Sequence, residues 1–150
     1  MIQRKQTIFL ALALIFTICC LCMPLGMFES SKMGDDSILY NLWVASANGE
    51  KNFGVWPLFF ILVISCPINI FAIISYNNRM LQSKMCVANV VLMVVWYAML
   101  FLFSQKAVAG AEFHVSMASA FPLVAIVLYF MARHGIIADE KLVRAADRIR

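Results

Sequence analysis

Residues Val55–Tyr76, VWPLFFILVISCPINIFAIISY, decide the fold of this chain, because they form a long apolar run with no charged side chain and no histidine. The hydrocarbon core of a bilayer takes about 20 helical residues to cross. Only a helix or a closed barrel can cross it, since unpaired backbone groups are costly in lipid. Barrel strands alternate apolar and polar residues, and this run does not. It therefore predicts a transmembrane helix.

Three other stretches, one before and two after Val55–Tyr76, are also long, apolar and free of charged residues. Thr7–Met27, Met85–Phe103 and Ser116–Ala132 also lack Asp, Glu, Lys, Arg and His. The predicted fold is an all-α membrane protein, an antiparallel bundle of four transmembrane helices that forms one integral membrane domain over residues 1–150. A cleaved signal peptide is the alternative for Thr7–Met27, but this run is longer than the usual apolar region and no A-x-A site follows closely.

Composition supports this reading, since 63% of the residues are hydrophobic and 13% are charged. Soluble domains average roughly 45–50% apolar residues and about 25% charged residues. An ordinary soluble domain, a disordered chain and a nucleic-acid-binding protein are thereby excluded. Nine of the 12 Lys and Arg residues lie in the two tails and in the connection between the second and third spans. The excess of basic residues on that side predicts that both termini are cytoplasmic.

The long first connection, Phe28–Gly54, has two interpretations. It is either a loop whose aromatic residues anchor the helix ends, or a small folded cap with Ser37–Ala45 as a short strand. In the second case Trp43 packs on the cap or contacts a partner. The second connection on that side, Ser104–Val115, is expected to be a polar interfacial turn. Its Glu112 and His114 are too few ligands for zinc, so no metal site is predicted.

The C-terminal tail favours a separate cytoplasmic helix over residues 139–150. Asp139 is the expected N-cap, and Arg144 and Arg148 lie on a basic side opposite an apolar stripe. Such a helix can lie on an anionic membrane surface or dock a partner. A solvated tail that only fixes orientation is the alternative.

Polar side chains within predicted spans are where function is sought first in a membrane protein. They are Thr17, Ser65, Asn69 and Asn89. Asn69 and Asn89 lie at similar distances from the middle of the intervening turn, which predicts a hydrogen bond between them. The pair is either structural, as polar contacts between membrane helices often are, or part of a substrate contact. Pro67 and Pro122 are predicted to bend their helices, and a bend near Asn69 either opens a crevice or improves packing.

Motifs for catalysis are not apparent. The chain has no Gly-rich phosphate loop, His-Glu zinc motif or Ser-His-Asp arrangement, so no catalytic residue and no cofactor is predicted. The predicted spans also carry no charged residue for a proton relay. Three of the five cysteines, Cys19, Cys20 and Cys22, lie near one end of the first span. They are interpreted as inert buried thiols, with a membrane thiol redox enzyme as the alternative.

Both ends of the chain resemble a known family. The opening MIQRKQT and the ending DEKLVRAADRIR, together with Tyr40-Asn41-Leu42-Trp43, are similar to a bacterial family catalogued as domain of unknown function 4293, found in Bacteroidota. The resemblance implies an inner-membrane protein of four spans and supplies no catalytic residues. A weaker likeness, to claudin-like four-helix proteins, rests on topology and on Leu42-Trp43, and the loop cysteines of that pattern are missing.

The expected function follows from these patterns. A non-enzymatic scaffold, accessory or assembly subunit is favoured, which sits in the lipid bilayer and binds a membrane or cytoplasmic protein or a second copy of itself. The alternative is a small oligomeric transporter or channel that uses Pro67, Asn69 and Asn89.

Overall fold

The structure, a computed structural model, describes residues 3–30, 36–46, 48–76, 78–106 and 111–147. Its helices are α1 (Gln3–Cys22), α2 (Trp56–Ile74), α3 (Arg79–Lys106) and α4 (Phe121–Asp147). All four contain a segment long and apolar enough to cross a membrane. The fold is therefore mostly helical, as predicted from the apolar runs.

The four helices pack side by side around a shared apolar core. Helix α1 lies between α2 and α4, and α3 lies between the same two helices on the other side. Leu10, Leu62, Met93 and Trp96 come from α1, α2 and α3 and are fully buried. Large apolar side chains such as Ile15, Phe71 and Val94 instead lie exposed on the outside of the bundle, about half of each side chain being accessible. An outer surface of this kind suits a lipid environment.

Helix α1 ends at Cys22, five residues before the predicted boundary. Pro24 explains the difference, because proline lacks the backbone N–H that a helix needs and disfavours helical geometry in the residue before it. The chain leaves the helix at this point and enters a strand at Gly26.

Both connections on one side of the bundle contribute to a single antiparallel sheet. Its strands are β1 (Gly26–Ser30), β2 (Ser37–Leu39), β3 (Val44–Ser46), β4 (Lys51–Asn52) and β5 (Ala111–Val115), in the order β4-β3-β2-β1-β5. The first connection is thus folded, as the cap interpretation predicted, and is not an irregular loop. The single strand expected over Ser37–Ala45 is two strands joined by a turn, in which the Tyr40 N–H donates to the Trp43 carbonyl at 2.9 Å.

The second connection is not the polar turn that was predicted. Residues 111–115 form β5, which pairs with β1 along its whole length. Phe113 lies directly opposite Phe28, and the ring centroids are 4.8 Å apart. This aromatic pair accounts for the strand, because it buries apolar surface that a solvated turn would expose. Residues 107–110 of the same connection lie outside the described residues.

Pro122 does not bend a helix, contrary to the prediction. The 3-10 turn Met117–Ala120 precedes α4, and Pro122 is the second residue of that helix. Proline is well tolerated there, because the first turn of a helix leaves its N–H groups without intrahelical partners.

The C-terminal helix is not a separate element either. Helix α4 runs without a break from Phe121 to Asp147, so Asp139 lies inside it and cannot act as an N-cap. The Asp139 side chain is buried and accepts a hydrogen bond from the Gln6 side-chain amide of α1. Gly135, one turn earlier, allows this approach, since a Cβ there would lie 3.2 Å from Cγ of Gln6.

Replacing Asp139 with alanine should lower the free energy of unfolding by about 1–2 kcal/mol, because the buried Gln6 amide loses its partner. Glu140→Ala is the matched control. It removes the same charge from the next residue, whose exposed ion pair with Arg144 is worth about 0.3–0.5 kcal/mol. Unfolding in mixed detergent micelles with rising SDS measures both variants. Equal losses would contradict the role given to the Gln6–Asp139 contact.

Candidate functional site

A cluster of neutral polar side chains lies at the centre of the bundle. Each of the four helices contributes to it, and every member is almost completely buried. The members are Thr17 of α1, Ser65 and Asn69 of α2, Asn89 of α3 and Tyr129 of α4. We call this set the central polar cluster.

Asn69 connects three helices within the cluster. Its Nδ2 group donates to the Leu10 backbone carbonyl of α1 at 3.1 Å and to the Tyr129 hydroxyl of α4 at 2.8 Å. The hydroxyls of Thr17 and Ser65 lie close to the same Tyr129 hydroxyl. The Thr17 hydroxyl also donates to the Ala13 carbonyl at 2.8 Å. Asn69 therefore holds α2 against both α1 and α4.

Asn89 forms its hydrogen bond with Ser65, so the predicted Asn69–Asn89 hydrogen bond is wrong. The Ser65 hydroxyl donates to Asn89 Oδ1 at 2.8 Å. The reason is the position of the turn. Helix α2 ends at Ile74 and α3 begins at Arg79, whereas the prediction placed the middle of the turn near residue 80. With the shorter turn, Ser65 is the α2 residue at the depth of Asn89.

Two polar atoms of the cluster have no hydrogen-bond partner. They are Asn69 Oδ1, an acceptor, and Asn89 Nδ2, a donor. Ser65 and Asn69 are four residues apart on one helix, a spacing that puts their Cβ atoms about 5–6 Å from each other. Because Ser65 bonds to Asn89, the free donor and acceptor lie in one region of the core. A buried water or a small neutral solute has the matching chemistry.

Pro67 lies inside α2 as expected, between Ser65 and Asn69, but its side chain is exposed on the outside of the bundle. Tyr129 was missed by the sequence reasoning. Tyrosine in a membrane helix usually marks the interface, and nothing in its neighbouring residues distinguishes Tyr129 from such an anchor. It also lies three residues before the end of the predicted run Ser116–Ala132, where an interfacial anchor is expected, so the sequence carried no signal for its buried role.

Replacing Asn69 with leucine should cost about 1–2 kcal/mol of unfolding free energy, because two interhelical hydrogen bonds are lost at about 0.6 kcal/mol or more each. Asn89→Leu removes one such bond and should cost about half as much. Unfolding in SDS-containing mixed micelles provides the comparison. An Asn89→Leu loss as large as that of Asn69→Leu would contradict the central position assigned to Asn69.

The five-stranded sheet presents a second candidate surface. One row of side chains crosses its outer face, with a middle that is apolar and partly exposed. Charged or ionisable residues flank that middle on both sides. The row consists of Lys51, Ala45, Ile38, Met27 and His114. We call this row the sheet platform.

Charged residues extend the platform at its β5 end. Glu29 lies opposite Glu112, and His114 Nε2 is 3.2 Å from Glu29 Oε2. Like charges on opposite strands are unfavourable, and both carboxylates are exposed to solvent. This edge of the sheet therefore has acidic character available to a binding partner.

Trp43 packs within the sheet domain. Its ring lies against Tyr40 at 5.4 Å and Phe53 at 6.3 Å between centroids, and Lys51 Nζ lies 5.1 Å from its centre. Trp43 is half-buried by these contacts. Of the two basic residues singled out in the C-terminal tail, Arg144 is exposed and pairs with Glu140, whereas Arg148 lies outside the described residues.

One amide links the sheet to the bundle. Asn41, in the β2–β3 turn, donates through Nδ2 to the Cys20 carbonyl near the end of α1 at 2.6 Å. Its Oδ1 accepts from the indole N–H of Trp96 in α3 at 3.2 Å. Asn41 and Trp96 are both buried. The sheet is therefore attached to two helices and is not a freely moving loop.

The five cysteines carry no disulfide. Cys20 and Cys86 are buried, Cys19 and Cys66 are partly buried, and Cys22 is exposed. The expectation that the cysteines at the C-terminal end of α1 are buried is therefore wrong for Cys22, because α1 ends at that residue. Within the described part of the chain, no group of three or more His, Cys, Asp or Glu residues is placed to hold a metal ion.

Fold and site together define a class: a small bundle of four helices able to cross a membrane, with a neutral polar centre and an antiparallel sheet at one end. The family model for a domain of unknown function (DUF4293) matches residues 2–149. The chain belongs to that family, as its two ends suggested. No curated protein matches it.

Proposed function

We propose that this protein is a non-enzymatic assembly or accessory subunit of the bacterial inner membrane, and that the sheet platform is its docking surface. The observation that carries the proposal is the platform itself, an apolar middle with a charged rim on a folded sheet. Interfaces between proteins have this anatomy. The Asn41 contacts support it as well, because a surface held in one shape loses less entropy on binding.

The partner we propose is another membrane protein or a second copy of this chain. The exposed acidic edge favours a partner with basic residues near its contact surface. We place both termini on the cytoplasmic side, on the basis of the nine basic residues in the two tails and in the connection between the second and third spans. The sheet then lies on the opposite side of the membrane. Reporter fusions at each terminus and in the β3–β4 turn test that orientation.

Photocrosslinking in the intact membrane tests the docking role. A photoreactive amino acid at Met27 should give a discrete adduct, and the same amino acid at Phe71 on the outside of α2 should not. Ala45→Glu should abolish the Met27 adduct, because it places a charge in the apolar middle of the platform. Asn48→Glu, in the exposed turn beyond β3, is the matched control and should leave the adduct intact. The proposal would be contradicted if no adduct forms at Met27, or if the Met27 adduct still forms in the Ala45→Glu variant.

A small oligomeric transporter or channel is the second candidate, and the unpaired atoms of Asn69 and Asn89 favour it. A neutral solute is the appropriate substrate class, since the cluster consists of amides and hydroxyls. Flux of small neutral solutes into proteoliposomes tests this function. If the protein is a transporter or channel, the rate of uptake should fall with Asn69→Leu and with Asn89→Leu. A rate that neither substitution changes would exclude this function.

A membrane thiol redox enzyme is a third candidate and depends on the cysteines near the sheet. Thiol alkylation in membranes before and after exposure to quinone tests it. Cys22 is the exposed thiol of this group, so its alkylation state is the informative measurement. A thiol that stays reduced throughout would exclude this function.

A further inference from the structure

A cavity of about 190 Å³ lies at the end of the bundle opposite the sheet. It opens between the first residues of α3 and the last turns of α4. Arg79, Lys141 and Arg144 form its rim, and Met80, Ile136 and Ile137 line it with apolar surface. We call it the basic groove.

The rim carries an excess of positive charge. Among the described residues of the lining, Glu140 is the one carboxylate, and it pairs with Arg144 through the guanidinium Nε at 3.0 Å. No other described residue of the lining compensates the charges of Arg79 and Lys141. An anion is therefore the favoured occupant.

A further cation lies deeper along the same helix face. Arg133 precedes Ile137 by four residues, which places the two on one side of α4. Its Nε atom is buried and has no hydrogen-bond partner. It adds to the positive potential at the inner end of the groove.

The apolar half of the lining indicates which anion. A free phosphate ion remains hydrated, and burying it against Met80 and Ile136 would be unfavourable. A phospholipid headgroup brings its own acyl chains to such a surface. Exposed apolar side chains continue from the groove towards the middle of the bundle, on the same helix faces as Met80 and Ile137; they are Val87 and Val91 on α3 and Phe130 on α4. They provide a surface for those chains.

We propose that the basic groove binds the phosphate of an anionic glycerophospholipid, with Arg79, Lys141 and Arg144 around the headgroup and the acyl chains along α3 and α4. Basic groups beside apolar helix surface are the pattern by which membrane proteins select anionic lipids. The binding is independent of the docking role assigned to the sheet, so the two proposals stand or fall separately.

Native mass spectrometry of the full chain, released from detergent, tests this site. The probes are phosphatidylglycerol, phosphatidylcholine with the same acyl chains, and glycerol 3-phosphate. The variants are Arg79→Gln and Lys141→Gln. Lys84→Gln is the matched control, because Lys84 is an exposed residue of α3 outside the groove.

Phosphatidylglycerol should bind more tightly than phosphatidylcholine, and each groove variant should weaken it about fivefold, as expected for one basic residue near a lipid surface. Lys84→Gln should leave the affinity within about twofold of the parent, because its charge is outside the groove. An equal loss with Lys84→Gln, or equal affinity for the two lipids, would overturn the proposal. Glycerol 3-phosphate binding as tightly as the lipid would identify a free phosphate site instead and would also overturn it.

Discussion

Replacing Asn41 with leucine should lower the free energy of unfolding by about 2–4 kcal/mol, because two buried groups lose their partner at about 1–3 kcal/mol each. The groups are the Trp96 indole N–H and the Cys20 carbonyl. Leucine has nearly the shape of asparagine, so the effect isolates the hydrogen bonds from packing. Tryptophan fluorescence during SDS titration in mixed micelles measures the loss.

Asn48→Leu is the control for this substitution. Asn48 is an exposed residue of the β3–β4 turn, and surface changes of this kind are usually within about 0.5 kcal/mol. If Asn41→Leu is no more destabilising than Asn48→Leu, then Asn41 does not attach the sheet to the bundle.

Replacing Gly26 with valine should separate β5 from β1 and cost about 3 kcal/mol, at the upper end of what overpacking costs. A Cβ at Gly26 would lie 2.6 Å from the His114 carbonyl oxygen and 2.6 Å from the Phe113 ring. Neither neighbour can give way easily. Gly26 pairs with Leu39 on one side and with Val115 on the other, so moving its backbone disturbs the pairing of β1 with both neighbouring strands.

Gly54→Val is the matched control for Gly26→Val. A Cβ at Gly54 would meet only the exposed side chain of Asn52, at 3.2 Å, and the expected loss is below about 1 kcal/mol. Thermal unfolding in detergent compares the two variants. Similar losses of stability in the two variants would show that the close approach of β1 and β5 does not restrict position 26 to glycine.

The helices were the predictable part of this fold. A run such as Val55–Tyr76 is apolar on every face, and its length alone predicts a membrane-spanning helix. The exact ends were less accessible, because they depend on single prolines. Pro24 ends α1 early, while Pro122 starts α4 and does not bend it. The same residue type thus has opposite effects at the two ends of a helix.

The sheet was only partly predictable. The strands of the first connection are short and adjacent, and the alternation around Ile38 indicates one of them. Strand β5 joins β1 across more than 80 residues of chain, with two helices between them. Its pairing depends on the bundle bringing the two connections together, and no local pattern in residues 111–115 indicates that.

Except for Tyr129, the members of the central polar cluster were predictable from residue type, but their hydrogen-bond partners were not. Asn69 and Asn89 were identified from their polarity inside apolar runs, and both are buried in the cluster. Their partners were not identified, because an error of a few residues in the α2–α3 turn exchanges Ser65 for Asn69. The role of Tyr129 depends on which face of α4 turns inward, and that is settled by packing.

Hydrogen exchange of the backbone amides in lipid nanodiscs shows whether the connections form a folded sheet fixed to the helical bundle. We expect the β1 and β2 amides to exchange almost as slowly as those of α1, and the amides of the turn at residues 48–50 to exchange rapidly. Exchange of β1 and β2 as fast as that turn would contradict this expectation, and the first connection would then be a solvated loop.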